Sequence, residues 1–291
     1  MTLIGPGTRI ALKNVLFLTD FSESSKAALP FAMAMARSYC TILHALHVLK
    51  PVIPEAYHEA IQADENLAAA EMVKVGAQLA GVTHDTAVVS SDTLWSALEA
   101  AIKDREIDLI VVGTHGRTGV SKLLLGSFAE EIFRRSSVPV LTIGPDVPQN
   151  TDPSGRFRSV LFATNFGESA TVAAPFAVSL AEENDAQLVL VNVIPQEETA
   201  ERDEAAVTNA THKLLGLVST DARMWCRPST IVEHGEAAER ILKVAAERKA
   251  DLIVLGVRDA TRHLGAATHL DGPTAHKVVA HARCPVLTVR G

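Results

Sequence analysis

Aromatic side chains are scarce in this 291-residue chain, at 4% of its length, and only three cysteines occur, Cys40, Cys226 and Cys284. Cysteines so few and so widely spaced exclude a disulfide framework and a cysteine-built zinc site. They are expected to be three small buried hydrophobes in a reducing, cytoplasmic setting. No apolar stretch approaches the ~20 residues that a membrane helix needs. The opening MTLIGPGTRIALKN lacks the charged-then-apolar layout of a secretion signal. The formal net charge is -7 and no long basic run occurs, which excludes a general nucleic-acid footprint. What is present is Ala, Val, Leu and Ile: hydrophobic residues make up 47% and charged residues 21%, a globular composition that excludes a disordered or collagen-like chain. The length suits two α/β domains, each able to bury its own core.

The chain repeats itself. VLFLTDFSES at 15–24 returns as VLFATNFGES at 160–169, with seven of ten positions identical at an offset of 145. DLIVVG at 108–113 returns as DLIVLG at 251–256, and VPVLTI at 138–143 as CPVLTV at 284–289. Three blocks recurring in one order at nearly one spacing mark the duplication of a domain-sized unit. PDVPQNTDPSG, at 145–155, is dense in proline and turn formers and reads as a linker. The domains are therefore set at 8–145 and 156–291.

Within each copy the hydrophobic period alternates. Asn14–Thr19, Thr41–Val48, Leu109–Gly113 and Val140–Ile143 are short runs, apolar on both faces, as strands of a helix-covered parallel sheet are. Ala27–Ser38, Ala60–Leu79, Leu94–Arg105 and Ser127–Arg135 have helical spacing, with Leu94, Leu98, Ala101 and Ile102 on one stripe. The second copy places strands near 159–164, 187–193, 224–233, 252–257 and 286–289. Trp95 and Trp225 are expected to be packing residues of a helix and a strand region. The order β-α-β-α-β-α-β-α-β predicts two tandem doubly wound open sheets, each of five mostly parallel strands flanked by helices, with right-handed crossovers. In such sheets ligands bind beyond the carboxyl ends of the strands, so chemistry is sought there.

After the fourth strand of the first copy comes GTHGRTGVSKLLLGS, from Gly113 to Ser127. Glycines at 113, 116 and 126 allow positive φ and close approach of backbone N–H groups to an anion. A helix opening at Ser127-Phe128 adds unpaired N–H donors and a positive dipole end. His115 and Arg117 supply side-chain donors suited to phosphate oxygens. A structural reading stands beside this one: Ser127-Phe128-Ala129-Glu130 is also a capping box, and Asp20 in LFLTDFSES could cap the helix that follows it.

With the strand-end Asp of LFLTDFSES and a closing PVL strand, the spacing G-2x-G-9x-G-[S/T] resembles the universal stress protein family, over both copies and almost the whole chain. The resemblance implies an open five-stranded adenine nucleotide alpha hydrolase-like fold. One branch of that family binds ATP through this motif, commonly as G-x-H-G-R, which Gly113, His115, Gly116 and Arg117 match here. By resemblance, Gly113, Gly116, Gly126 and Ser127, with Phe128 beside it, would hold the phosphates and ribose. Thr19 and Asp20 would contact the nucleoside, and Val48 would meet adenine through its backbone. The family's last strand often pairs across a two-fold, which implies pairing of the two domains with each other and a homodimer; apolar edge strands invite such augmentation.

The second copy departs from the pattern. In GVRDATRHLGAATHLDGPT, at 256–274, Gly256 survives, but Asp259 takes the position of Gly116 and Pro273 that of Ser127. Asp20 becomes Asn165 and Ser22 becomes Gly167. A carboxylate ~4 Å from a phosphate charge would cost about 4 kcal/mol at an effective dielectric of 20, roughly a thousandfold in affinity. Pro273 removes an N–H donor. The expectation is one competent nucleotide site, in the first domain, with a degenerate copy in the second.

No zinc signature joins the eleven histidines; His44 and His47, three apart in a strand, point to opposite faces. Magnesium, if it enters, is expected with the phosphates. Three functions compete: a nucleotide-binding stress or signalling module without catalysis, a slow ATPase or self-phosphorylating enzyme, and a scaffold that binds no nucleotide. The sequence lacks the Lys-Ser/Thr pair of a P-loop, which favours the first over the second.

Overall fold

The computed structural model describes residues 10–49, 58–114, 127–148, 156–195, 200–257 and 273–291. The chain divides into two compact units, one built mainly from Ala11–Pro145 and the other mainly from Arg156–Gly291.

In the first unit β1 (Asn14–Leu18), β2 (Ile42–Leu49), β3 (His84–Ser90), β4 (Leu109–Gly113) and β5 (Val140–Ile143) are joined through α1 (Glu23–Tyr39), α2 (His58–Gln78), α3 (Leu94–Asp104) and α4 (Ser127–Arg135). The strands pair in parallel in the order β3-β2-β1-β4-β5. β1 and β4 lie inside and are apolar on both faces, so that Leu16, Phe17, Leu109 and Ile110 are buried. β3, at one side, is half-buried to exposed and mixes His84, Asp85 and Thr86 with Val88 and Val89. Two helices cover one face: Trp95, Leu98 and Ile132 pack on Leu16, Leu18, Leu46 and Val112, with Val48 and Phe128 against the same cluster. Trp95 is a packing residue, as expected, and the Arg135 guanidinium lies 4.3 Å from its ring centre.

In the second unit β6 (Ser159–Ala163), β7 (Gln187–Ile194), β8 (Ser229–His234), β9 (Leu252–Val257) and β10 (Val286–Arg290) pair in parallel in the order β10-β9-β6-β7-β8. Their connections carry α5 (Glu168–Glu183), α6 (Ala200–Leu215), α7 (Thr220–Cys226), α8 (Ala237–Glu247) and α9 (Pro273–His281). Both units thus have the doubly wound architecture that the alternation predicts.

Three local expectations are corrected. The strand placed at 224–233 starts at Ser229, because 220–226 is helix α7. Ser219 caps that helix by accepting from the Ala222 N–H, and Arg223 donates to the Leu215 and Val218 carbonyls, tying the turn to the end of α6. Pro228 then prevents the helix from continuing. Trp225 follows the same correction: it lies on α7 and is 65% exposed, so it is not a core residue. Cys40 is exposed, while Cys226 and Cys284 are buried as expected.

Candidate functional site

The carboxyl ends of β1, β2 and β4 converge with the first turn of α1. Thr19 continues β1, its N–H donating to the Leu46 carbonyl at 3.0 Å. Its hydroxyl shares a hydrogen bond with Ser25 at 3.0 Å and accepts from the Phe21 N–H at 3.0 Å. Asp20 Oδ1 accepts from the Ser22 N–H at 3.0 Å, an Asx turn that bends the chain into α1. The helix cap is Ser22 and not Asp20: the Ser22 hydroxyl accepts from the Ser25 N–H. Asp20 therefore stands one turn outside the helix, at the strand end, and shapes the loop.

The turn holds Phe21 at φ 63°. A bulky residue in the left-handed region is strained and persists only where its surroundings over-determine it. Here the Phe21 ring lies against that of His47, with centroids 4.4 Å apart, and His47 Nδ1 donates to the Thr19 carbonyl at 2.7 Å. His47 is buried on the face of β2 opposite Val48 and braces the β1–α1 turn. A sequence signal for this role exists. Asn192 occupies the matching position in β7, and its Nδ2 donates to the Thr164 carbonyl at 2.7 Å. Both copies thus place a side-chain N–H donor at one position.

Val48 sits near the end of β2, half-buried, opposite Val89 of β3. Gly113 ends β4, and its α-carbon lies directly under the first turn of α1. A Cβ there would stand 2.5 Å from the Ser24 carbonyl oxygen, so this glycine is required by packing whatever else it does. Ser127 opens α4, and Phe128 joins the core cluster that contains Leu18 and Val112. The fold therefore brings Thr19, Asp20, Val48, Gly113, Ser127 and Phe128 to one end of the sheet. His115, Gly116, Arg117 and Gly126 lie outside the described residues.

The second unit repeats the turn with altered chemistry. Phe166 takes φ 60°, its N–H bonded to Thr164 Oγ1 at 2.9 Å, and Asn165 Oδ1 accepts from the Gly167 N–H at 2.9 Å. Gly167 caps α5 with no side-chain hydrogen bond, the direct result of losing the serine hydroxyl. Gly256 lies beneath Ser169 as Gly113 lies beneath Ser24. At these strand ends a cavity of about 300 Å³ opens between the sheet, α8 and α9. Asp259 lies outside the described residues.

Among the described residues no group of three or more His, Cys, Asp or Glu side chains could hold a metal ion. Among the same residues no helix is long and apolar enough to cross a membrane.

Comparison with known proteins agrees with this architecture. The profile of the Universal stress protein family matches residues 11–144 and again 156–290. Universal stress protein MJ0531 of Methanocaldococcus jannaschii is 31% identical over 139 residues, 45% of this chain and 81% of that protein. A universal stress protein of Thermus aquaticus is 33% identical over 137 residues, 45% of this chain and 98% of its own length. Among solved structures, a universal stress protein from Archaeoglobus fulgidus superposes with a TM-score of 0.67 at 21% identity, covering 95% of this chain and 98% of that one, and so shares the two-domain fold. On these matches, which between them take in nearly all of both units, the chain belongs to the universal stress protein family and carries two copies of its domain in tandem.

Proposed function

We propose that the first unit binds ATP and that the protein acts as a nucleotide-dependent stress or signalling module, with occupancy of that unit biasing conformation or partner choice. The observation that carries the reading is the convergence, at one end of the sheet, of Thr19, Asp20, Val48 and Gly113 with the start of α4 at Ser127. A helix start and strand-end turns supply N–H donors for an anion. The sequence adds His115, Gly116, Arg117 and Gly126 between Gly113 and Ser127, the residues by which the chain resembles the ATP-binding branch of its family. Magnesium would enter on the phosphates, since the described residues offer no carboxylate cluster of their own.

The role assigned is binding and not turnover, because the chain carries no P-loop Lys-Ser/Thr pair to hold a transferring phosphoryl group. Isothermal titration of the whole chain with MgATP tests the reading. One saturable site per chain, lost on Gly116→Asp, supports it; no binding by the unaltered chain refutes it. Incubation with magnesium and labelled ATP tests the absence of chemistry, and phosphate release or a covalent label abolished by His115→Ala would make the protein an enzyme.

A further inference from the structure

Two neighbouring strand ends carry groups of the proposed site: the β1–α1 turn carries Thr19 and Asp20, and the end of β2 carries Val48. His47 fastens one to the other. Successive residues of a strand point to opposite faces, so His47 faces the turn while Val48 packs against the Trp95 cluster on the other side of the sheet. His47 is 8% exposed, and its Nδ1–H donates to the Thr19 carbonyl at 2.7 Å. That bond follows directly on the strand ladder, in which the Thr19 N–H donates to the Leu46 carbonyl at 3.0 Å.

The turn needs holding because it is strained. Phe21, at φ 63°, occupies a region that bulky side chains avoid. Its N–H donates to Thr19 Oγ1, and the Ser22 N–H donates to Asp20 Oδ1, which closes the turn from within. The His47 imidazole closes it from outside, taking the Thr19 carbonyl and packing against the Phe21 ring with centroids 4.4 Å apart. One side chain thus fixes both the strand end before Asp20 and the strained residue after it.

The second unit separates these two roles. Asn192 Nδ2 donates to the Thr164 carbonyl at 2.7 Å, so the donor is kept. An amide offers no ring, and Phe166, at φ 60°, instead has the Lys213 ammonium 5.6 Å from its ring centre. Asn192 Oδ1 is buried without a partner among the described residues. The carbonyl contact can therefore exist without the ring contact, and a single substitution can reproduce that state in the first unit.

We infer that His47 is a positioning residue for the first unit's ligand: acting through the turn, its Nδ1–H and its ring hold Asp20 and Val48 in one relative geometry. The inference rests on the nucleotide reading of this site. Where the turn fluctuates, only molecules in the competent geometry bind, and apparent affinity falls with their fraction.

Titration of the full chain with MgATP is the first arm of the test. His47→Ala removes both contacts and is expected to weaken binding about tenfold. His47→Asn restores the donor alone, as the second copy has it, and is expected to recover about threefold of that loss. Asp108→Ala, at the opposite end of the same sheet, controls for lost stability and is expected to leave the affinity within about twofold. The second arm needs no ligand. Exchange of the Phe21 and Ser22 amide hydrogens, followed by NMR, is expected to quicken about tenfold in His47→Ala and to slow again in His47→Asn. Thermal melts confirm that each variant is folded. The inference is overturned if those amides exchange in His47→Ala as they do in the unaltered chain, if His47→Asn is no better than His47→Ala, or if Asp108→Ala weakens ATP binding as much as His47→Ala does. An unaltered chain that binds no ATP refutes the nucleotide reading instead, and the amide exchange then decides by itself whether His47 holds the turn.

Discussion

Gly113 is pinned beneath Ser24: a Cβ built on it would stand 2.5 Å from the Ser24 carbonyl oxygen and 2.9 Å from the Ser24 hydroxyl. Gly256 repeats the relationship with Ser169, at 2.6 and 3.0 Å. The obstruction is helix backbone, which cannot step aside as the tip of a flexible side chain can. Gly113→Ala is therefore expected to push the start of α1 off β4 and to destabilise the protein by about 1–3 kcal/mol, the range for overpacking a close contact. The urea midpoint of the first unit's unfolding measures it. Because the Asx turn of Asp20 and Ser22 rides on the same helix start, the substitution is also expected to weaken ATP binding; an unchanged midpoint would mean that the contact is not tight.

At the opposite end of each sheet a carboxylate ties two strands together. Asp108 Oδ2 accepts from the Lys13 and Asn14 N–H groups at 2.6 and 2.9 Å, just as β1 begins beside β4. Asp251 Oδ2 accepts from the Arg158 and Ser159 N–H groups at 2.7 and 3.1 Å, where β6 begins beside β9. Each closes two strand-start donors that would otherwise rely on water. Hydrogen bonds to a charged acceptor are worth more than neutral ones, but these are partly exposed. Asp108→Ala is expected to cost about 1–2 kcal/mol by denaturant titration and to leave ligand binding intact, since the strand ends that carry Thr19 and Gly113 lie away from it.

How much of this was legible in the sequence follows from which side chains face the core. β1, β4, β6 and β9 lie inside their sheets, and their unbroken apolar runs announce them. β3 could not be placed in advance because it stands at the side of its sheet, where His84, Asp85 and Thr86 meet solvent and no apolar period survives. α7 was misread as strand because Met224, Trp225 and Cys226 look like a buried run, although Met224 and Trp225 are exposed and the helix is fixed by the Ser219 cap and by Arg223. At Asp20 and Gly113 a turn residue and a glycine marked the strand ends, but the roles seen in the fold, an Asx turn and a close packing contact under Ser24, were not the ones read from the sequence. The bracing role of His47 was not read, because its one sequence signal is a side-chain N–H donor shared with Asn192 at the matching position, and no spacing pattern announces it. The second unit's cavity was not legible either, since its lining comes from strands and helices far apart in the chain that meet only in space.

Glu236 links α8 to α9 above the cavity. It caps α8 by accepting from the Glu239 N–H at 2.8 Å, and it pairs with Lys277 of α9 at 3.2 Å. The Glu239 N–H, and secondarily Lys277, hold its carboxyl below the usual carboxylate range. A carboxylate whose pKa is lower folded than unfolded adds stability above its unfolded value and loses it as pH falls through the folded one. Both partners are largely exposed, so solvent screening keeps the contribution under about 1 kcal/mol. Glu236→Gln is expected to flatten the acid side of the stability profile by that amount, read from melts between pH 3 and 6 (about the span in which glutamate titrates), and Lys277→Met to reproduce only part of the change.

The three thiols separate by burial. Cys40 ends α1 in the left-handed region, φ 52°, and is exposed. Burial pushes the thiol of Cys226 up to about 11 and that of Cys284 up to about 12, from an ordinary 9.0. Thiolate is the reactive form, so near pH 8 a thiol reagent is expected to titrate one group quickly in the native protein and three in denaturant, with the fast group lost in Cys40→Ser. The same shifts carry a stability consequence. A thiol whose folded pKa is raised holds its proton in the native state after the unfolded chain has lost it, so its contribution is complete below about pH 9 and is lost as pH rises toward 11–12. Unfolding midpoints of the second unit are accordingly expected to fall between pH 9 and 11, and Cys226→Ala is expected to make that fall shallower. An equally steep decline in that variant would place the alkaline sensitivity outside the Cys226 thiol.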